Sequence, residues 1–182
     1  NGGRNWQSAA YNPDSKMLVL PIAEICMNAG PTGQGGILST GAGMQPSPSP
    51  LAASDGQFGR WQAVNVETRE LVWDYRKEAP PTSAALSTDG GLVFIGALDQ
   101  SFTALDEATG EVLWSTDLGD IPASFPITYR VGDKQYIAVA IGTPTIHANV
   151  WLGVAQEYFG VDRNYAGSLS RQGPALKVFS LN

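Results

Sequence analysis

Residues 104–114 read Ala-Leu-Asp-Glu-Ala-Thr-Gly-Glu-Val-Leu-Trp, and a second copy of this phrase stands 41 residues earlier. That copy, residues 63–73, reads Ala-Val-Asn-Val-Glu-Thr-Arg-Glu-Leu-Val-Trp and aligns without a gap. Asn65 replaces Asp106, and Arg69 replaces Gly110. Self-similarity at a period of about 40 residues is typical of propellers and solenoids built from one supersecondary unit. Because the unit here is rich in strand-forming residues, the sequence predicts an all-β fold, either a β-propeller or part of one.

Each copy of the phrase predicts two strands joined by a tight turn. Residues 101–105 alternate polar and apolar side chains as a half-buried strand does. Asp106 to Gly110 form the turn, because an aspartate can bond its own backbone and a glycine adopts positive φ. We expect Trp73 and Trp114 to occupy equivalent sites in adjacent blades. There they should be mostly buried, wedged between neighbouring sheets.

Composition excludes several classes of function. A net charge of −6 and a pI near 4.6 argue against nucleic acid or an anionic membrane as partner. No apolar stretch reaches the roughly 18 residues that a membrane-spanning helix needs. Cys26 is the single cysteine and His147 the single histidine, so neither an internal disulfide nor a histidine metal cluster is possible. The sequence also predicts almost no helix, and aspartates such as Asp120 are interpreted as turn residues on a solvated face.

The strand pattern divides the chain into about two and a half blades, at approximately residues 7–78, 79–119 and 120–182. Two irregular stretches interrupt them, a Gly/Pro/Ser-rich loop over 27–57 and a longer one over 142–173. Closed propellers usually need four to eight blades. We therefore expect the chain to be a segment of a larger single domain, with unpaired sheet edges covered by the rest of that domain or by another chain.

The phrase Ala-x-Asp-x-x-Thr-Gly-x-x-x-Trp resembles the tryptophan-docking motif of the quinoprotein alcohol dehydrogenases. These are eight-bladed β-propellers that carry pyrroloquinoline quinone (PQQ). Other stretches resemble, in the family's order, the carboxy-terminal third of the methanol/ethanol dehydrogenase branch. They begin with Gly-Gly-Arg-Asn-Trp at residues 2–6 and continue at 11–13, 24–27, 91–96, 126–129 and 135–138.

This resemblance implies a reaction. Family members oxidise primary alcohols in the bacterial periplasm, with PQQ as the oxidant, and pass the electrons to a cytochrome c. A calcium or lanthanide ion polarises a quinone carbonyl as a Lewis acid, and an aspartate is the proposed general base. The family's metal ligands and base lie upstream of the Gly-Gly-x-Asn-Trp phrase. The resemblance therefore places no catalytic residue and no metal ligand in this chain.

Two positions match cofactor-binding residues of the family. Asn5 matches the asparagine that hydrogen-bonds the quinone, and an amide offers both a donor and an acceptor for that role. Trp151 resembles the late tryptophan that reaches a PQQ carboxylate, although residues 143–150 are longer and bulkier than the family's Gly-rich turn. From the residues alone, Asn5 could instead brace the turn after Gly2-Gly3, and Trp151 could be a rim aromatic in a loop.

One departure from the family pattern bears on the substrate. Where the family places an aromatic residue before a Gly-Gly pair that lines the pocket, this chain has Thr82-Ser83-Ala84. A wider pocket or another substrate is expected. A polymer- or sugar-alcohol dehydrogenase of the same superfamily, which this departure would suit, therefore stays open. A non-catalytic propeller scaffold of the outer-membrane assembly type also stays open, because it shares the docking motif and the repeat period.

Overall fold

A computed structural model of the protein describes residues 7–31, 44–50, 54, 56–142 and 174–181. All regular secondary structure in this part of the chain is β-strand, as the repeat predicted. None of the described residues belongs to a helix long and apolar enough to cross a membrane. In chain order the strands are β1 Ala10–Asn12, β2 Met17–Ala23, β3 Ile25–Pro31, β4 Met44–Pro50, β5 Gly59–Asn65, β6 Leu71–Lys77, β7 Leu86–Ser87, β8 Leu92–Gly96, β9 Ser101–Asp106, β10 Val112–Asp117, β11 Ile127–Val131, β12 Lys134–Ile141 and β13 Ala175–Leu181.

These strands form three larger antiparallel sheets in chain order. The first has the strand order β1-β2-β5-β6, the second β7-β8-β9-β10 and the third β11-β12-β13. Side chains of β2 alternate between buried and half-buried, because successive residues of a strand face opposite sides of the sheet. Trp61 of β5 and Val19 of β2 are fully buried in one core cluster that also includes Val93 and Leu105 of the second sheet.

The two copies of the repeat occupy equivalent positions. Ala63 pairs with Trp73 across β5 and β6, and Ala104 pairs with Trp114 across β9 and β10, with an irregularity in register beside each pair. The turn residues Asn65 and Asp106 both accept hydrogen bonds on Oδ1 from backbone amides two and three residues further on. The prediction of a repeated strand–turn–strand unit is confirmed.

The tryptophan of the first copy is docked on the turn of the second. Trp73 is 8% exposed, and its Nε1 donates to the carbonyl oxygen of Glu107 at 2.7 Å. Its ring lies over Gly110, where an added Cβ would stand 2.8 Å from Trp73 Cδ2. The Glu107 side chain joins the same two sheets, since its carboxylate accepts hydrogen bonds from Asn12, Ser15 and Ser87.

The prediction that Trp114 is mostly buried is wrong. Trp114 is 39% exposed, and in the described part of the chain its ring has edge contacts with Phe102 and Phe179. The reason is the missing neighbour: among the described residues no turn of a further repeat lies over Trp114 as residues 107–110 lie over Trp73. The tryptophan instead lines an apolar groove of about 580 Å³ between the second and third sheets.

The expected loop over 27–57 contains a β-hairpin. β3 and β4 pair antiparallel from Ile25 opposite Pro50 to Pro31 opposite Met44. Proline is unfavourable in a sheet because it cannot donate a hydrogen bond. In β4, however, the prolines recur at every second position, Pro46, Pro48 and Pro50, so their nitrogens all face the same edge of the strand. The intervening Gln45, Ser47 and Ser49 keep their backbone donors on the opposite edge, so a Pro/Ser-rich stretch can form a strand paired with β3.

The connections between strands divide between two ends of the sheets. Neighbouring strands run in opposite directions, so every second connection lies at the same end of the sheets. We call one of these ends the insertion end. The strands that begin or end there flank the segments 24–58, 78–85, 97–100, 118–126 and 142–174. Backbone hydrogen bonds link these connections: Phe58 N to Glu78 O, Leu98 N to Pro80 O and Gly142 N to Ile121 O. The described residues that flank the two long stretches, 27–57 and 142–173, thus lie at the insertion end.

Candidate functional site

Three short segments meet at the insertion end, just before β1, β7 and β11. We call residues 7–9, 81–85 and 120–124 the inner strip. Gln7 Nε2 donates to Pro81 O at 3.1 Å, Ala85 N donates to Ser8 O at 3.1 Å, and Ala84 N donates to Ser124 O at 3.1 Å. β1, β7 and β11 are edge strands of their sheets, and β1 contacts β7. The inner strip therefore connects the three sheets along one edge, which in a propeller borders the central channel where ligands bind.

Gly96 brings two parts of the inner strip together. Its carbonyl oxygen accepts hydrogen bonds from the backbone amides of Thr82 and Ser83, at 3.0 and 3.3 Å. A Cβ on Gly96 would lie 2.6 Å from Pro122 Cγ and 2.9 Å from Ser83 Oγ. Only a residue without a side chain allows this approach. Residues 82–84 and 120–122 consequently pack against the same glycine.

The inner strip contains the buried polar side chains of Thr82 and Asp120. Thr82 is 2% exposed, and its Oγ1 has no hydrogen-bond partner among the described residues. Asp120 is also 2% exposed, and Oδ1 accepts a bond from the Ile121 amide at 2.7 Å. Burial raises the pKa of Asp120, although the Ile121 amide acts in the opposite direction. No salt bridge to Asp120 forms within the described ranges.

Asp120 was not identified as a site residue from the sequence, where it was interpreted as a turn residue facing solvent. That interpretation is wrong because Asp120 is followed by Ile121, which is fully buried between the sheets and draws the turn inward. The apolar Ile121-Pro122-Ala123 run immediately after the aspartate was the available signal.

The two cofactor-binding residues predicted from the sequence, Asn5 and Trp151, lie outside the described residues. Their nearest described neighbours in the chain belong to the insertion end. Gln7, two residues after Asn5, donates to Pro81, and Gly142, which precedes the stretch containing Trp151, donates to Ile121 O. The third position singled out, Thr82-Ser83-Ala84, lies in the inner strip itself. In the part of the chain that the structure describes, no group of three or more His, Cys, Asp or Glu side chains could hold a metal ion.

A network of four charges lies where the hairpin leaves the first sheet. Arg60 binds Glu24 at 2.7 Å and Asp74 at 2.7 Å, while Arg76 binds Glu24 at 3.0 Å and Asp74 at 3.2 Å. Burial alone would raise the pKa of Asp74, but the hydrogen bonds from both arginines outweigh it and hold that pKa below its ordinary value. Because β3 begins directly after Glu24, this network fixes the first residue of the hairpin to β5 and β6.

The repeated unit, the docked Trp73 and the sheet order define the class as a β-propeller of the tryptophan-docking type. The sequence matches the family described as "PQQ: Glucose/ethanol/alcohol dehydrogenase, beta-propeller domain" over residues 34–137. This match covers more than half of the chain. The chain belongs to that family.

Individual relatives and structures agree with this assignment. Lupanine 17-hydroxylase [cytochrome c] of a Pseudomonas species is 30% identical over 99% of this chain and 24% of its own length. The lanthanide-dependent methanol dehydrogenase of Methylacidiphilum fumariolicum is 32% identical over 91% of this chain and 27% of its own length. Among solved structures, a europium-containing methanol dehydrogenase matches with a TM-score of 0.74 and 29% identity, over 99% of this chain and 33% of its own. The chain thus spans about a quarter of the length of the curated relatives it matches.

Proposed function

We propose that the protein containing this chain is a PQQ-dependent alcohol dehydrogenase of the bacterial periplasm. It oxidises alcohols to aldehydes and passes the electrons to a cytochrome c. The observation that carries the proposal is the family match over residues 34–137, which spans the docking repeat and the segment with Thr82. The names of the relatives, which include methanol and other alcohol dehydrogenases with cytochrome c as acceptor, support the activity.

The described residues are compatible with a polar ligand at the insertion end. Thr82 Oγ1, which has no partner among the described residues, costs about 1–3 kcal/mol as a buried unpaired hydroxyl, and a polar group that reached it would offset that cost. When bound, PQQ would accept the two electrons released by the alcohol, with calcium or a lanthanide as Lewis acid on ligands outside this chain.

This chain's own residues would bind and position the cofactor. Asn5 is proposed to hydrogen-bond the quinone, and Trp151 to contact a PQQ carboxylate. Gln7 would help to position Asn5, because the hydrogen bond from Gln7 Nε2 to Pro81 O fixes the chain two residues after Asn5. The stretches 27–57 and 142–173 are proposed to border the entrance, since their described ends lie at the insertion end.

The rest of the same propeller is the proposed partner of the exposed groove at Trp114. The groove is lined by Trp114, Leu113, Phe179 and their apolar neighbours, and large apolar patches in water generally mark a contact surface. A turn after β13, equivalent to residues 107–110 after β9, would cover Trp114 as residues 107–110 cover Trp73. On this basis we retain the blade division at about 7–78, 79–119 and 120–182 as part of the proposal.

The test is reconstitution of the full-length protein. Metal-free apoprotein is loaded with PQQ together with calcium or with a lanthanide, and alcohol-dependent reduction of cytochrome c is measured. We expect activity only when both PQQ and one of the metals are present. A protein that binds neither and reduces nothing would instead be a propeller scaffold, and the proposal would be wrong.

A further inference from the structure

We propose that the β3–β4 hairpin is a dimerisation element, in which the outer edge of β3 pairs antiparallel with the same edge of a second copy of the protein. The hairpin forms a two-stranded sheet of its own, and among the described residues no further strand pairs with it. Two strands alone are marginally stable in water, and further strands or packing are needed for independent stability. The proposal names the strand that completes the sheet, and it does not depend on PQQ chemistry.

The register of the hairpin decides which backbone groups of β3 face outward. In an antiparallel pair, opposite residues alternate between exchanging two hydrogen bonds and pointing their N–H and C=O groups away from each other. The three prolines of β4 have no N–H, so their pairs are of the second kind. They stand opposite Ile25, Met27 and Ala29, whose backbone N–H and C=O groups therefore face away from β4. We call this row of groups the open edge.

The two outer edges of the hairpin are consequently unlike. Between residues 45 and 50, the backbone donors of β4 all face β3, so its outer edge has carbonyl groups but no N–H. Proline on an edge strand is one of the ways in which proteins prevent further strand pairing. The open edge of β3 has both donors and acceptors at alternate residues. Only this edge can extend the sheet by a regular ladder.

A second copy of the protein fits this asymmetry. Two hairpins that pair through their open edges form a four-stranded sheet with the order β4-β3-β3-β4. Both outer strands of that sheet are then β4, whose prolines prevent the addition of a fifth strand. The assembly therefore closes at two copies related by a twofold axis, the commonest symmetry of homo-oligomers. An ordinary strand from an unrelated partner would leave its own far edge unprotected.

The charges near the open edge do not oppose this pairing. Residues 25–31 contain no Asp, Glu, Lys or Arg, although the whole chain has a net charge of −6. The carboxylate next to this segment, Glu24, is paired with Arg60 at 2.7 Å and with Arg76 at 3.0 Å. Two such strands can therefore approach each other without like-charge repulsion. The same ion pairs fix the start of β3 to the first sheet.

One register gives the most hydrogen bonds. It places Met27 opposite Met27 of the second copy, and Ile25 of each copy opposite Ala29 of the other. All three pairs then exchange both of their backbone hydrogen bonds across the twofold axis. A shift by two residues in either direction leaves one of these residues without its partner.

The experiment compares two Met→Pro variants of the full-length protein by light scattering over a range of concentrations. Met27→Pro removes the central donor of the open edge and leaves the β3–β4 bonds intact, because the N–H of Met27 faces away from β4. By symmetry the dimer loses two hydrogen bonds. We expect its dissociation constant to rise about tenfold or more, where tenfold is equivalent to about 1.4 kcal/mol.

Met44→Pro is the matched control. Met44 stands opposite Pro31, in the same phase of the ladder as the three prolines of β4, so its N–H also faces away from the partner strand. This variant should dimerise as the wild type does. Melting temperatures of both variants show whether the fold is retained.

A disulfide tests the register independently. With Cys26→Ser as the background, Met27→Cys would bring the two introduced cysteines opposite each other, with Cα atoms about 5.5 Å apart, a distance that a disulfide spans. Ala29→Cys in the same background is the control, because its two copies would lie four residues, about 13 Å, apart along the strands. We expect an intermolecular disulfide in the first variant and none in the second.

Three results would overturn the inference. A wild-type protein that is monomeric at every concentration would mean that another segment of the same protein covers the open edge. A Met27→Pro variant that dimerises as tightly as the wild type would mean that the dimer forms through another surface. Equal cross-linking of Met27→Cys and Ala29→Cys would contradict the register. None of these results bears on the proposed function, which PQQ- and metal-dependent oxidation of alcohols tests separately.

Discussion

At the scale of single residues, the contact between Trp73 and Gly110 explains why the two copies of the repeat differ at one turn position. Arg69 and Gly110 are equivalent, and both have positive φ, 64° and 75°. The backbone conformation alone therefore does not require glycine. What requires it is the Trp73 ring, which occupies the space that a Cβ on Gly110 would need.

The first prediction concerns this contact. Gly110→Ala should destabilise the protein by about 1–2 kcal/mol through its left-handed backbone and by a further 1–3 kcal/mol through overpacking against Trp73. Gly119→Ala is the control, because Gly119 has the same φ of 75° with nothing within 4 Å of its Cβ position. Denaturant unfolding of the full-length protein measures the free energy of unfolding of both variants. Equal losses in the two variants would contradict the docking contact.

A second prediction at this scale concerns Glu107, which is 4% exposed and joins two sheets through three side-chain donors. Glu107→Gln keeps the size of the side chain but replaces one carboxylate oxygen with an amide NH2. That NH2 cannot accept the hydrogen bonds that Asn12, Ser15 and Ser87 donate to Glu107. We expect a loss of about 1.5–3 kcal/mol, the usual contribution of a hydrogen bond to a charged group. Glu67→Gln, on an exposed turn, serves as the control. A Glu107→Gln protein as stable as the wild type would show that these bonds contribute nothing.

At the scale of elements, the sequence predicted the strands of the docking repeat well, because alternation, Asx turns and positive-φ residues are local signals. It missed the β3–β4 hairpin, because stretches rich in proline, serine and glycine usually indicate a loop. Here a strand is possible only because the prolines recur at every second residue. The sequence also predicts a strand over residues 82–86, whereas β7 begins only at Leu86. That boundary is set by the hydrogen bonds of residues 82 and 83 to Gly96, a contact remote in sequence.

The third prediction concerns the charge network where the hairpin leaves the first sheet. The pKa of Asp74 is lower in the folded protein than in the unfolded chain. Its stabilising contribution is thus fully present above the unfolded pKa and is lost as the pH falls through the folded pKa. Asp74→Asn should therefore be less stable than the wild type at neutral pH, with the difference shrinking in acid. Denaturant midpoints across this range measure the effect.

Asp133→Asn, in an exposed turn, is the control for that series. It should follow the wild-type pH dependence throughout. If Asp74→Asn also follows it, the arginines do not hold Asp74 ionised in solution, and the network does not fix the start of the hairpin.

At the scale of the whole molecule, the apolar groove between the second and third sheets leaves Trp114 39% exposed. The expectation of a buried Trp114 was wrong because burial at a blade boundary depends on a turn of the next blade, and the turn after β13 is not among the described residues. The class of fold and the family could be predicted from the residues. The cofactor contacts of Asn5 and Trp151 stay predictions.

The fourth prediction tests whether a turn after β13 covers the groove. In the full-length protein, Trp114→Ala and Trp73→Ala should be destabilising by similar amounts, about 3–5 kcal/mol each, the usual cost of truncating a buried tryptophan. Thermal or denaturant unfolding of the two variants gives the comparison. A much smaller loss for Trp114→Ala would mean that its indole stays open to solvent.

The central claim is that this chain forms part of a PQQ site, and titration of metal-loaded apoenzyme with PQQ tests it most directly. Asn5→Ala should lose one hydrogen bond to a buried, charged cofactor, about 1.5–3 kcal/mol, which weakens PQQ binding roughly ten- to a hundredfold. The control is Asn65→Ala, which removes an asparagine whose Oδ1 only caps an exposed turn, and it should bind PQQ as the wild type does. Wild-type protein that does not bind PQQ, or an Asn5→Ala variant with unchanged affinity, would contradict the account.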